Sequence, residues 1–200
     1  RLASALEIIR KKFPDTAVSI DTFRAGVMEK TLENFGPCIV NDITGAEAEP
    51  EIAGVAARYR VPFIAMHMRG TPQNMMQNTQ YENLIADLLL YFAKKTEQLR
   101  LLGVCDIIID PGFGFSKTLD DNYRLMNGLH HFTTFDMPIL TGISRKSMIY
   151  SFLDSSPEES LNGTTVLNTL ALLGGTDILR VHDVKEAVET VKLVTKTLMD

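Results

Sequence analysis

Apolar residues along the chain alternate between two spacings. Leu2, Ala5, Leu6, Ile9 and Phe13 recur at the period of one helical face until Pro14-Asp15 breaks the run. Ala17 to Asp21 then reads as a short buried strand. Thr22 stands where it can cap a helix on Val27, Met28, Thr31, Leu32 and Phe35, which Gly36 stops. The pattern repeats. Residues 38–43, 62–68 and 107–110 predict three further strands, and 138–143 and 177–181 the last two. One helix between them carries Ile52, Val55, Ala56 and Tyr59, and a long one carries Leu84, Ile85, Leu88, Leu89, Phe92 and Ala93. Another covers residues 161–173 and closes at Gly174-Gly175. A last helix bears Val184, Ala187, Val188, Val191, Val194 and Leu198, with Asp183 poised to cap it. Residues 69–80, polar and rich in methionine, read as a loop.

Six strands, each joined to the next by at least one helix, imply an α/β protein with a parallel sheet. Near-continuous apolar strands fit burial on both faces. On pattern alone an open doubly wound sheet and a β/α barrel both remain open. No low-complexity tract or composition shift divides the chain, so residues 1–200 read as one domain.

Composition narrows the partners. With 200 residues, 45% of them hydrophobic, the chain can bury a substantial core. A net charge of −5 and a pI near 5.4 argue against a nucleic-acid surface. No apolar run approaches the roughly 20 residues of a membrane span. Cys38 and Cys105 each adjoin an apolar run and read as reduced, part-buried residues of a cytoplasmic protein. The sequence opens at Arg1 inside an amphipathic helix pattern, which reads as a cut into a longer protein.

The chemistry lies at the strand ends. The first strand ends in Asp21, the second in Asn41 and Asp42, the third in His67 and the fourth in Asp110. The fifth leads into Ser144-Arg145-Lys146-Ser147, and the sixth into Arg180, His182 and Asp183. In a parallel β/α structure such ends open on one face, where active sites are built. Asp21, Asn41 and Asp110 offer acceptors and an amide, suited to a nitrogen-rich ring. The later cations, Arg145, Lys146 and Arg180, suit a phosphate, which barrels often bind after their last two strands. Each residue has a plainer role available. Asp42 and Asp183, taken singly, read as helix caps, Lys146 could be solvated, and His67 reads as a hydrogen-bonded wall residue rather than a metal ligand. His130-His131 reads as an exposed helix end, and Met66, Met68, Met75 and Met76 as core or loop filler. Residues 142–147 lack the first Gly of a phosphate loop, and Gly112-Phe-Gly114 lacks the third Gly of a dinucleotide fingerprint.

Together these strings resemble a known family. Ser19-Ile-Asp-Thr22, Val40-Asn-Asp-Ile43, Met66-His-Met68, Asp110-Pro-Gly-Phe-Gly-Phe115, Gly142-Ile-Ser-Arg-Lys-Ser147 and Arg180-Val-His-Asp-Val184 look like the motifs of dihydropteroate synthases, in that family's order. The resemblance implies a (β/α)8 barrel of which this chain carries the third to eighth units and lacks the first two. It implies a transferase of folate biosynthesis, joining 6-hydroxymethyl-7,8-dihydropterin pyrophosphate to 4-aminobenzoate with release of pyrophosphate. By resemblance, Asp21, Asn41, Met66, Asp110, Phe115, Gly142, Lys146 and Arg180 hold the pterin. Arg180 and His182 meet the pyrophosphate, and Phe115, Lys146 and Ser147 the aminobenzoate. Catalysis would rest on Asp21, Asp110, Lys146 and Arg180, with the two carboxylates buried to favour a cationic pterin. The family uses Mg²⁺, whose main protein ligand is expected upstream of Arg1, and forms homodimers. Pterin-dependent methyltransferases would need a similar Asp and Asn pair but no pyrophosphate cations. A non-catalytic pterin-binding module would bind without turnover.

Overall fold

Every strand and helix that the periodicity predicts is present, and most of the strands are shorter than the apolar runs that mark them. The computed structural model describes residues 2–199. These divide into two compact units, residues up to 66 with 94–108, and residues 67–93 with 109 onward. Two of the three boundaries fall inside a helix and a strand and the third directly after a strand, which is why no linker or composition shift announces them.

The first unit alternates α1 (Leu2–Lys12), β1 (Ser19–Asp21), α2 (Ala25–Phe35), β2 (Ile39–Asp42), α3 (Glu51–Tyr59) and β3 (Phe63–Met66). β1 and β2 pair in parallel with Ile20 opposite Val40, and β2 and β3 with Val40 opposite Phe63. Leu6, Met28, Leu32, Ile52, Val55 and Ala56 are buried, one face from each helix, beside Val40 and Phe63. Such complete burial stabilises by about 1.5–3 kcal/mol for each large aliphatic or aromatic side chain. Thr22 accepts from the Arg24 N–H at 3.1 Å, so it caps the turn before α2 and not the helix itself.

α4 (Leu84–Leu101) and β4 (Ile107–Asp110) contribute to both units. The second unit adds α5 (Leu119–Asn127), β5 (Leu140–Thr141), α6 (Ser147–Tyr150), α7 (Leu161–Leu173), β6 (Ile178–Leu179) and α8 (Val184–Leu198), with 3-10 turns at Met75–Gln77 and Leu129–Phe135. β5 and β6 pair in parallel, and a parallel bridge from Ile109 to Ile139 joins the end of β4 to them. The carboxyl ends of β4, β5 and β6 therefore lie on one side. Phe92 meets Phe132 edge-on at 5.9 Å, and Phe113, Leu125 and Ile143 are fully buried. α5 starts at a capping box: Asp121 N–H donates to Thr118 Oγ1 and Thr118 N–H to Asp121 Oδ2, each at 3.1 Å.

α8 packs on α7, yet its apolar stripe is only partly used. Ala187 and Val194 are buried, whereas Val184, Val188, Val191 and Leu198 are exposed, as are Val166, Leu170 and Leu173 of α7. No helix among the described residues is long and apolar enough to cross a membrane. Cys38 is buried, but Cys105 is exposed, because it lies in the turn after α4 and not in the following strand.

Candidate active site

The loop after β4 turns through three left-handed residues. Gly112, Gly114 and Ser116 take φ values of +73°, +78° and +51°, left-handed conformations that favour glycine. Asp110 opens this loop, 6% exposed, and its Oδ1 accepts from the Gly112 N–H at 2.8 Å. Burial pushes its carboxyl pKa upward, while Lys146, the Gly112 N–H, Arg180 and Lys117 pull the other way. A buried carboxylate is thus surrounded by three cations. It keeps an oxygen for other donors.

Lys146 reaches into this loop from the end of β5. Its Nζ donates to the Phe113 carbonyl oxygen and lies 4.7 Å from the centre of the Phe115 ring, within cation–π range. Burial lowers its pKa to about 8, with Arg180 acting the same way and Asp110 opposing. The reading of Lys146 as a solvated surface lysine is therefore set aside. Two glycines make room for the cations: a Cβ at Gly114 would stand 3.2 Å from Lys146 Cδ, and one at Gly142 would stand 3.4 Å from Arg180 Nε.

The loops after β5 and β6 are bound to each other. Ser144 Oγ meets the His182 backbone N–H at 3.1 Å and His182 Nδ1 at 3.0 Å. Arg145 grips Asp183 with two bonds, Nε to Oδ2 at 2.9 Å and Nη2 to Oδ1 at 2.8 Å, and donates through Nη1 to the Pro157 and Glu158 carbonyls. Each partner favours the charged form of the other, so the Arg145 pKa is raised and that of Asp183 lowered. Two expectations are corrected here. Arg145 is a strut between loops rather than a cation reserved for phosphate, and Asp183 makes no side-chain cap bond at α8 because Arg145 occupies both its oxygens. Arg180 and His182 themselves are exposed, as is Ser147 at the start of α6, and Phe115 is half-buried.

In the first unit, Asn41 is 7% exposed and Asp42 fully buried. Asp42 caps a turn and not a helix: Oδ1 accepts from the Thr44 N–H and hydroxyl and Oδ2 from the Ala46 N–H, all at 2.8 Å. Met66 is buried, whereas Asp21 is exposed, against the expectation of a buried carboxylate. β1 is the first strand in the order β1–β2–β3–β4, and an outer strand has a neighbour on one side only.

His67 and Lys117 form a buried pair beside the loop after β4. His67 is 2% exposed, and burial, reinforced by Lys117 and Arg69, holds its pKa down to about 2, so it stays neutral. It is the hydrogen-bonded wall residue expected. Its partner Lys117 was missed; the available signal was a lysine directly after the glycine turns and before the Thr118 cap. Among the described residues no three His, Cys, Asp or Glu side chains gather where they could hold a metal ion.

A parallel α/β chain with a carboxylate, two lysines and an arginine gathered at its strand ends fits a family model described as pterin binding enzyme, which matches residues 1–182. A dihydropteroate synthase from Synechocystis sp. is 40% identical over 196 residues, covering 96% of this chain and 67% of that protein. The Yersinia pestis dihydropteroate synthase, solved in a sulfonamide drug complex, superimposes with a TM-score of 0.93 at 34% identity, covering 98% of this chain and 71% of the other. The Thermus thermophilus enzyme in complex with 6HMPPP gives 0.91 at 29% identity, covering 97% and 75%, and it has also been solved with 4-aminobenzoate. The chain belongs to the dihydropteroate synthase family of pterin-binding enzymes.

Proposed function

We infer that the chain condenses 6-hydroxymethyl-7,8-dihydropterin pyrophosphate with 4-aminobenzoate, giving 7,8-dihydropteroate and pyrophosphate. The observation that carries the reading is Asp110, a buried carboxylate under the influence of Lys146, Arg180 and Lys117. Two adjacent N–H groups of a pterin ring match a carboxylate as a guanidinium does. Asp110 would bind the ring edge, with Lys146 and Gly142 beside it and Arg180 along its face. Asp21, Asn41 and Met66 are assigned to the pterin by resemblance to the family motifs alone. Arg180 and His182 would meet the pyrophosphate, and Phe115, Lys146 and Ser147 the aminobenzoate.

The bond from the pterin methylene to the pyrophosphate oxygen breaks first, and the oxygen keeps the electron pair. Arg180 and His182 would stabilise that charge, and Asp110 the cation left on the conjugated pterin. The neutral aromatic amine then attacks the methylene carbon and loses a proton, with no strong general base required.

Mg²⁺ would offset charge on the pyrophosphate. Resemblance to the family, and nothing else, assigns its main protein ligand to a position upstream of Arg1. We read the six units as part of a (β/α)8 barrel of one domain, consistent with their parallel pairing. The exposed apolar residues of α7 and α8 support a homodimer, and two unpaired cysteines a cytoplasmic setting. Pyrophosphate competition separates this reading from a pterin-dependent methyltransferase. Millimolar pyrophosphate should displace the pterin substrate, and indifference to it would favour the methyltransferase.

A further inference from the structure

Lys117 is the most deeply buried cation among the described residues, 2% exposed, and the reaction as outlined does not use it. Its Nζ lies 3.0 Å from the Gly112 carbonyl oxygen, 3.0 Å from the Phe115 carbonyl oxygen and 3.2 Å from His67 Nδ1. An ammonium has three N–H groups and no lone pair, and here each finds an acceptor. We propose that Lys117 is a positioning residue, which fixes the loop from Asp110 to Phe115 and so couples the pterin contact to the aminobenzoate contact. The proposal rests on the reading of Asp110 and Phe115 given above.

The geometry follows from the backbone. Three residues within five are left-handed, and a carbonyl buried in such a loop needs a donor. Gly112 donates its N–H to Asp110 and accepts from Lys117 through its carbonyl, so one residue is held on both sides. Phe115 is held by its backbone to Lys117, while its ring faces Lys146. His67 is fixed in turn: its ring meets Tyr91 edge-on at 4.7 Å, with Tyr81 at 6.1 Å and Phe92 at 6.5 Å. Ser116, the residue between, bonds through Oγ to both the N–H and the carbonyl of Arg69.

The Lys117 contacts are sensitive to protonation. The charged groups facing Lys117 are Asp110 and Asp121, which favour its ammonium, and Lys146 and Arg69, which oppose it; burial outweighs them and lowers its pKa to about 7. Losing the proton leaves two N–H groups for three acceptors. The loop then loosens as pH rises through neutrality.

The test compares the full chain with Lys117→Met, Lys117→Gln and Asp110→Asn. Each is titrated with the dihydropterin pyrophosphate, and with 4-aminobenzoate in the presence of pterin and pyrophosphate, between about pH 6 and 8. Thermal unfolding reports whether each variant is folded. Lys117→Met should weaken both ligands by roughly tenfold and flatten the decline of affinity with pH. Lys117→Gln, which keeps donors but cannot titrate, should recover part of the affinity and remain flat. Parent-like binding of both ligands by a folded Lys117→Met, or loss of one ligand only, overturns the coupling. If neither Lys117 variant folds, the parent decides: affinity flat across neutrality overturns the proposal. Asp110→Asn keeps the two failures apart, since undiminished pterin binding there removes the pterin reading itself.

Discussion

The loop after β4 and the paired loops after β5 and β6 solve one problem in different ways. Each holds backbone carbonyls with a cation, Lys117 in the first case and Arg145 in the second. Lys117 is buried and has no hydrogen-bonded carboxylate; Arg145 has a two-point carboxylate partner and side-chain exposure of 25%. Burial brings the lysine into the titratable range, whereas a guanidinium stays charged at any ordinary pH. The β4 loop is thus anchored by a titratable cation, whereas the Arg145–Asp183 pair frames the β5 and β6 loops with a cation that stays charged.

The contrast breaks first under acid. His67 stays neutral in the fold, with its pKa held down to about 2, whereas an unfolded histidine protonates near 6.5. Its folded pKa is depressed, so the associated stability is fully present above about pH 6.5 and is lost as pH falls toward the folded value. The loss should approach about 1.4 kcal/mol per pH unit once the unfolded histidine is protonated. Denaturant unfolding at pH 7, 5 and 4 should show a shallower decline for His67→Gln than for the parent; equal slopes would mean that His67 is already charged. A milder perturbation is Gly114→Ala. The residue has φ +78°, and the new Cβ would crowd Lys146 Cδ at 3.2 Å. It should cost about 1 kcal/mol of stability and weaken pterin binding as well, readable by thermal unfolding and titration. Smaller still is Arg145→Met, which frees Asp183 and two carbonyls. Pyrophosphate affinity should fall by roughly threefold to tenfold with no change in its pH profile. A new pH dependence would show that the frame, too, is titratable.

The strand ends were legible because the change from a strand period to a helical one locates them, and polar residues stand at each change. That is how Asp110, Lys146 and Arg180 could be singled out. What those residues bond to was less legible. Arg145 and Asp183 are 38 residues apart, and either type serves equally as strut or ligand until the β5–β6 pairing brings them together. Lys117 is harder to single out, because the glycine turns that bury it leave no periodicity. The apolar periodicity does not mark α5, although its Thr118 and Asp121 carry the spacing of a capping box. Asp21 looks like a buried strand end in sequence and is exposed in the structure.

The most direct test is calorimetric titration of the chain and of Asp110→Asn with dihydropterin pyrophosphate. Binding by the parent that the substitution abolishes, with both proteins folded, is the result predicted here. Equal binding by the folded variant would contradict it, because the buried carboxylate would then have no part in recognising the pterin.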